Sequence, residues 1–227
     1  MFMWIRLRRV VWTAAVTGVM ASGAVAAPMG FKDSTMLMLD ADKDEREISV
    51  NHAFTARDAL GVSAHDMRMH TVLHGQRYSA WQQVRQLTYT RRAHRWNLPD
   101  AQANVWLFGG VGEVKRPVGH GSLTQTVLTP GFQVDHETTR VYSALMGRFH
   151  HADGFRQQTW VARGGFSFYE TDYNEVQPWF ILEAKHVSSL THGVDWTPML
   201  RFIHKRYFLE IGVTESGQAR CSVMLNF

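Results

Sequence analysis

From about residue 34 onward, apolar and polar positions along the chain alternate with a period of two. In the stretch TWVARGGFSFY, Trp160 and Phe166 fall on one face, while Arg163 and Ser167 fall on the other. Such alternation predicts β-strands, because successive side chains of a strand point to opposite faces. Polar or turn-forming clusters separate the alternating segments. Twelve strands are predicted in this way, at 34–40, 45–54, 58–69, 79–92, 101–113, 124–135, 138–149, 157–169, 176–187, 194–203, 206–214 and 217–227.

The length of these segments separates two all-β architectures. Strands of soluble sandwiches commonly run about 5–6 residues, whereas strands that cross a membrane need about 9–11. Most segments here fall in the longer range, and short connections alternate with longer ones, as in membrane barrels. In hydrocarbon every backbone group must be paired within the protein, which strands achieve only by closing into a barrel. We therefore predict an antiparallel up-and-down transmembrane β-barrel of about 12 strands, with about 10 as the alternative and a soluble sandwich as the competing architecture.

The first 26 residues have the layout of a secretory signal peptide. Arg6, Arg8 and Arg9 precede an apolar run, and the small residues Ala24 and Ala26 form a cleavage site. The alternative is a single membrane-anchoring helix, but the apolar part is short and interrupted by Thr, Ser and Gly. The sequence therefore predicts two regions: a cleaved signal peptide at 1–26 and one β-barrel domain at 27–227.

Removal of the signal peptide changes the charge of the chain. The whole chain has 24 Lys and Arg against 20 Asp and Glu, a net charge of +4, and three of the arginines lie in the signal. The remaining chain carries 21 basic against 20 acidic residues, or +1, so nucleic acid is not an expected partner. The single cysteine, Cys221, excludes an internal disulfide, and it lies far from the cleavage site, so it is no lipoprotein anchor.

Aromatic residues are abundant, with eight Trp, six Tyr and thirteen Phe. Those near the ends of predicted strands are expected to form girdles at the two membrane interfaces. The alternative is that they are ordinary core aromatics. The girdle candidates are Trp81, Tyr89, Trp106, Phe149, Trp160, Phe168, Tyr169, Trp179, Trp196 and Tyr207.

The last strand, ARCSVMLNF, places Cys221, Val223, Leu225 and Phe227 on one face. It resembles the C-terminal signal that the outer-membrane assembly machinery of Gram-negative bacteria recognises, although Ala219 stands where that signal often has an aromatic. The stretches PMGFKDSTM, NHAFTARDALGV, RWNLPDAQANVWLFGGVG, RGGFSFYETDYNEVQPWFILEAKH and TPMLRFIHKRYFLEIGV also resemble an uncharacterised family of proteobacterial outer-membrane β-barrel proteins. The resemblance implies an exported, monomeric barrel in the outer membrane, in contact with lipid, lipopolysaccharide and the assembly machinery. It implies no particular activity.

Several charged residues alternate with the apolar faces and are therefore expected to point into the lumen. Buried charges must be paired or solvated, so they form either a salt-bridged plug or the lining of a wet pore. A narrow channel biased toward anions and a closed, side-chain-filled barrel both fit a barrel of this size. The lumen candidates are Arg140, Arg148, Arg163, Arg201, Glu210 and Arg220.

Histidines cluster where the longer loops are predicted, at His65, His70, His74, His120, His150, His151, His186 and His192. The stretch HDMRMHTVLH combines His65, Met67, Met69, His70 and His74, and imidazole with thioether ligands favours copper, while imidazole alone also suits Zn²⁺. Residues two apart on a strand are about 7 Å apart, so one ion would require the loop to fold over. The alternative is an adaptable polar rim without metal.

Catalytic candidates are weaker. Ser188 and Ser189 lie near His186, and His150, His151 and Asp153 form an acid–histidine group, but no Ser–His–Asn set is evident. We therefore assign no catalytic residue and no cofactor. Three classes of function fit the sequence, in decreasing order of support: a narrow channel or scaffold barrel for small solutes, a Cu- or Zn-binding outer-membrane protein, and an envelope hydrolase.

Overall fold

The computed structural model describes residues 27–73, 76–118, 121–172, 174–188, 190 and 193–227. The predicted signal peptide lies outside the described residues, as do His74, His120 and His192. In the described part of the chain, no helix combines the length and apolar character needed to cross a membrane. The strands are β1 Thr35–Ala41, β2 Glu45–Ala53, β3 Asp58–Leu73, β4 Gln76–Asn97, β5 Ala101–Val118, β6 Gly121–Leu128, β7 Gly131–Thr138, β8 Val141–Ala152, β9 Phe155–Ser167, β10 Gln177–Val187, β11 Asp195–His204, β12 Tyr207–Val213 and β13 Ala219–Asn226.

The strands close into a barrel through antiparallel pairing of the first strand with the last. The β1–β13 register runs from Met36 opposite Asn226 to Ala41 opposite Cys221. Just beyond it, Thr35 N donates to Phe227 O at 2.7 Å, and Phe227 N donates to Thr35 O at 2.9 Å. The prediction of an all-β antiparallel barrel is therefore confirmed.

Strands β6 and β7 together form one wall of the barrel. Both pair with β5, with Val111 opposite Leu128 and Phe108 opposite Gly131, so the register continues across the break. The interruption falls at Thr129 and Pro130, where proline offers no backbone N–H to the ladder. The barrel therefore has twelve walls, as predicted, and the predicted segment 124–135 corresponds to the broken one.

The two ends of the barrel differ in height. We call "base" the end that carries Phe227, residues 27–34 and the connections at 54–57, 98–100, 139–140, 168–172, 174–176 and 205–206, and "mouth" the opposite end. Strands β3, β4 and β5 contain 16, 22 and 18 residues. Beyond the pair of Glu45 with Met67, β3 pairs only with β4. The β3–β4 hairpin therefore projects from the mouth.

The outer surface of the barrel is apolar. Large apolar side chains alternate outward along the walls, as at Leu60, Val62, Leu87, Leu107, Val111, Val141, Leu145, Leu200, Leu209, Ile211 and Val223. A soluble protein does not expose apolar surface on this scale, whereas lipid requires it. The exterior is therefore that of a membrane-spanning barrel.

Six of the predicted girdle aromatics point outward, as girdles require, and two do not. Tyr89, Trp160, Phe168, Tyr169, Trp196 and Tyr207 are exposed on the outside. Trp106 and Trp179, however, are buried inside the barrel. In the period-two alternation of their strands, both occupy inward-facing positions. The girdle prediction considers only how close a residue lies to a strand end, so it does not detect this.

Three apolar clusters lie inside the barrel. One, near the base, contains Met36, Tyr142, Trp179, Ile181, Met199, Ile203, Phe208 and Met224. A second, also at the base, contains Met29, Ala53, Ala59 and Trp106. The third lies toward the mouth and contains Met67, Val84, Val114, Val127 and Phe155. The polar part of the lumen lies between these clusters.

Candidate functional site

A network of five charged side chains occupies the middle of the lumen. Nε of Arg163 donates to Oε2 of Glu183 at 2.7 Å, and Nε of Arg201 donates to Oε1 of Glu210 at 2.7 Å. Nη1 of Arg163 reaches Oε2 of Glu210 at 3.4 Å, and Arg220 pairs with the other oxygen of Glu183. Each carboxylate thus lies between two guanidinium groups. We call these residues the "central network".

Three members of the central network, Glu183, Arg201 and Glu210, are buried from water, while Arg163 and Arg220 border the cavities. Glu183 is 0% exposed, and the Arg201 and Glu210 side chains are 1% exposed. The Arg201 guanidinium lies over the rings of Tyr142 and Phe208, at 4.4 and 5.1 Å from their centroids. Charges removed from water to this degree are held by their partners, since each alone would carry a large desolvation penalty.

Two further ion-pair groups cross the lumen. Nη1 of Arg148 on β8 lies 2.5 Å from Oε2 of Glu47 on β2. Nζ of Lys185 on β10 pairs with Glu45 on β2 and lies 3.1 Å from Oδ2 of Asp42 in the β1–β2 turn. In the strand order of the barrel, β8 and β10 lie nearly opposite β2. These "cross-lumen pairs" therefore join opposite walls and narrow the interior.

The structure places the predicted lumen residues Arg148, Arg163, Arg201, Glu210 and Arg220 inside the barrel. Arg140 is not inside: it lies in the turn between β7 and β8, exposed, and its Nη2 donates to the Phe168 carbonyl oxygen at 3.3 Å. The prediction for Arg140 is wrong because the strand predicted at 138–149 begins only at Val141, so Arg140 belongs to the turn and not to the alternating strand.

Apart from Glu210, the acidic partners of these basic residues were not identified from the sequence. The same period-two alternation places these acids on the inward faces of their strands, as on β2, where Glu45 and Glu47 alternate with Arg46. The inward-facing acids include Asp40, Glu45, Glu47, Asp135, Glu183 and Glu210. The lumen is therefore charge-balanced rather than the positive lining that the arginines alone suggest.

A cavity of about 190 Å³ lies above the base clusters. Besides the charged groups, hydroxyl and amide side chains line it: Ser49, Asn51, Ser63, Gln86, Thr88, Thr90, Thr129, Gln133, Thr159 and Ser222. Ala27 and Pro28 line its lower part, where Nδ2 of Asn51 donates to the Pro28 carbonyl oxygen at 3.4 Å. The chain segment before β1 thus lies inside the barrel at its base.

A second, smaller cavity of about 50 Å³ lies at the mouth. Its walls include Asp42, Lys43, Asp44, Asp195, Thr214, Ser216 and Gln218. The two cavities share Glu45, Lys185 and Arg220 as wall residues. These three side chains, here called the "partition", therefore separate the mouth from the interior.

The metal candidates do not form one group. His65 is buried in the lumen rather than at a loop, and Met67 packs with Val84 and Val114, with Met69 against the same cluster. The His70 backbone pairs with β4 opposite Ser79, and His74 lies outside the described residues. Among the residues that the structure describes, no three His, Cys, Asp or Glu side chains form a metal site. The common inward face of His65, Met67 and Met69 does follow from their spacing.

The hydrolase candidates are also dispersed. Nδ1 of His186 lies 2.7 Å from the Gly193 carbonyl oxygen, while the Ser188 hydroxyl accepts from the Gln158 backbone N–H at 3.0 Å; Ser189 lies outside the described residues. His150 faces the lumen, whereas its neighbour His151 is exposed. Among the hydrolase candidates that the structure describes, none are therefore brought together as a catalytic group.

The predicted assembly signal lies on the closing strand. Val223 pairs with Leu39, Leu225 pairs with Leu37, and the Phe227 side chain is exposed to the outside. Cys221 stands between Ala41 and Ile211 on the same outer face. The alternating residues thus form one lipid-facing row at the seam.

Deleting Phe227 is expected to impair outer-membrane assembly while leaving export intact. The deletion removes the last outward-facing side chain and both backbone hydrogen bonds with Thr35. Cell fractionation and heat-modifiable migration of the barrel measure the effect, and Phe227→Trp, which keeps the aromatic ring, serves as the control. Normal assembly of the truncated chain would contradict the assembly-signal hypothesis.

The closed strand ladder, apolar exterior and charged interior together define a membrane-spanning β-barrel of the outer-membrane type. LpxR from Salmonella typhimurium has a similar fold, with a TM-score of 0.51 at 7% identity over 86% of this chain and 99% of that chain. KdgM porin in complex with disordered oligogalacturonate aligns with a TM-score of 0.48 at 12% identity over 86% and 98% of the two chains. A scan against protein-family models and a search of curated proteins gave no match. Likeness at these identities shows the fold and decides no activity.

Proposed function

We propose that this protein is a narrow outer-membrane channel for small polar solutes, closed in the present conformation by side-chain ion pairs. The observation that supports this function is the partition: the mouth and the interior cavity share Glu45, Lys185 and Arg220 as walls. Movement of these side chains alone joins the two spaces. The barrel acts as a monomer inserted by the assembly machinery, in contact with outer-membrane lipid and lipopolysaccharide.

Side-chain ion pairs are suited to reversible closure. Lysine ends in a compact ammonium group on a flexible four-carbon stem, so Lys185 can leave Glu45 by rotation about single bonds. A packed apolar plug would instead require several walls to move together. The cross-lumen pairs are thus a barrier that opens without rearranging the β-ladder.

The cavity lining indicates the kind of solute. Hydroxyl and amide groups alternate with charges of both signs, which favours small neutral or dipolar solutes over apolar ones. The cavity of about 190 Å³ is below the range of about 300–1,000 Å³ that is typical of drug-sized ligands. Passage of small solutes therefore fits the lumen better than storage of a large ligand.

A solute that leaves the cavity at the base must pass residues 27–34, the segment that precedes β1. Met29 in this segment packs against Ala53, Ala59 and Trp106, while Asn51 holds the Pro28 carbonyl oxygen. Because the segment belongs to no wall of the barrel, its withdrawal leaves the closed strand ladder intact. We propose that it is the lower closure of the channel.

Recordings in planar lipid bilayers test this function. The purified barrel is expected to give brief, discrete current steps, since the partition opens only when its ion pairs separate. Swelling of protein-containing liposomes should be faster in a monosaccharide than in a long oligosaccharide, with protein-free liposomes as the control. Absence of both steps and swelling, in the native chain and in the variant with weakened cross-lumen pairs described below, would indicate a closed scaffold barrel instead.

A further inference from the structure

Two buried histidines from distant strands face each other in the upper lumen. His65 on β3 is 4% exposed, and His150 on β8 is 1% exposed. Their ring centroids lie 5.6 Å apart with an angle of 53° between the ring planes. Because β4, β5 and the β6/β7 wall separate β3 from β8 in the barrel, this contact crosses the lumen.

The ring nitrogens of this pair are poorly satisfied. Nδ1 of His65 and both Nδ1 and Nε2 of His150 are buried without a hydrogen-bond partner. Buried polar atoms normally have a partner, because an unpaired one retains its desolvation cost. Each neutral imidazole carries one lone-pair nitrogen, and each ring of this pair has an unpartnered nitrogen, so the two rings can each offer one lone pair to a metal ion.

We propose that His65 and His150 together bind one monovalent copper ion. Copper is bound by imidazole, and its monovalent form is stable with two ligands in a line. With a metal–nitrogen distance of about 2.0 Å and about 1.1 Å from each nitrogen to its ring centre, a linear ion separates the centroids by about 6 Å. The observed 5.6 Å needs only a small adjustment.

The surroundings favour copper over zinc. Structural zinc takes four ligands in a tetrahedron, and the described residues contain no set of three His, Cys, Asp or Glu side chains suited to a metal. The Glu47 carboxylate, which stands beside His65 in the β2–β3 register, is engaged by Arg148. Its charge is balanced by that guanidinium, and it does not serve as a ligand.

This site differs from the histidine–methionine group that the sequence suggested. It retains His65 but replaces the other members of that group with His150, which is distant in sequence. Met67 lies on the same face of β3, yet it packs among Val84, Val114 and Val127. We therefore assign no ligand role to the Met67 thioether.

Titration of the folded, detergent-solubilised barrel with Cu(I), in competition with a chromophoric Cu(I) chelator under reducing conditions, tests the site. One ion per barrel is expected. Loss of an outer-shell partner alone typically costs 10–100-fold in metal affinity, so His65→Ala and His150→Ala should each cost about 100-fold or more. His94→Ala, at an exposed position near the base, and Met67→Leu are matched controls that should bind as the native chain does.

The copper site can still be tested if an alanine variant fails to fold. Heat-modifiable migration identifies such a variant, and His65→Gln and His150→Gln then replace it. X-ray absorption of the copper-loaded native protein should show two nitrogen neighbours. Absence of stoichiometric binding, a sulfur neighbour, or loss of binding in Met67→Leu but not in the His150 variants would overturn the proposal. All of these are equilibrium measurements in detergent, so they are independent of whether the barrel conducts.

Discussion

Replacing Glu210 with alanine is expected to lower the free energy of unfolding by about 3–5 kcal/mol, the usual cost of removing one partner of a buried ion pair. Glu210 accepts a hydrogen bond from Arg201 and also faces Arg163. The variant leaves the Arg201 guanidinium, which is 1% exposed, without this carboxylate. Urea titration of the barrel in lipid vesicles, followed by tryptophan fluorescence, measures the change.

Two control variants test whether the loss of the buried ion pair causes the destabilisation. Glu113→Ala removes an exposed acid from the outer face of β5 and should stay within about 0.5 kcal/mol of the native chain. Combining Arg201→Met with Glu210→Leu should recover most of the loss, because apolar replacements of a buried pair are often neutral. A loss below about 1 kcal/mol for Glu210→Ala, as for exposed pairs, would mean that water reaches the Arg201–Glu210 pair.

The double variant Glu45→Gln/Glu47→Gln is expected to convert brief current steps into long openings. Both substitutions keep the side-chain size but remove the charges that hold Lys185 and Arg148 across the lumen. The interior then has an excess of cations, because Arg148 loses its partner and Lys185 keeps only Asp42. We therefore also expect the reversal potential in a salt gradient to shift toward anion preference.

The opposite pair of substitutions provides the sharpest control. Lys185→Gln/Arg148→Gln breaks the same contacts but leaves unopposed acids, so its reversal potential should shift toward cation preference. Glu113→Gln, which lies outside the lumen, should change neither property. The same selectivity in both double variants would show that ions do not pass along this lumen.

Most of the architecture could be predicted from the sequence because it depends on local alternation. Period-two patterning located all twelve walls, and the broken wall at Thr129–Pro130 lies within a single predicted segment. The same parity places Arg163 and Glu210 inside. The prediction from alternation fails at Arg140, because alternation does not indicate where a strand ends and a turn begins.

Contacts across the lumen could not be predicted in this way. The meeting of Arg148 with Glu47, and of His65 with His150, depends on the shear of the closed barrel and on which walls stand opposite each other. A strand pattern determines the side to which each residue points but not its partner across the interior. The girdle prediction for Trp106 and Trp179 has a different cause: it uses their position along the strand, although the alternation puts both on the inward face.

The walls beside the seam are short, which affects the surrounding lipid. Strands β1, β12 and β13 contain 7, 7 and 8 residues. At about 3.3 Å per residue and a tilt of about 40°, seven residues cover only about 18 Å of the membrane normal. The usual apolar band is about 25 Å tall. The bilayer beside the seam must therefore thin by several ångströms, and this hydrophobic mismatch gives the barrel a preferred orientation toward thin or disordered membrane on the side where it closes.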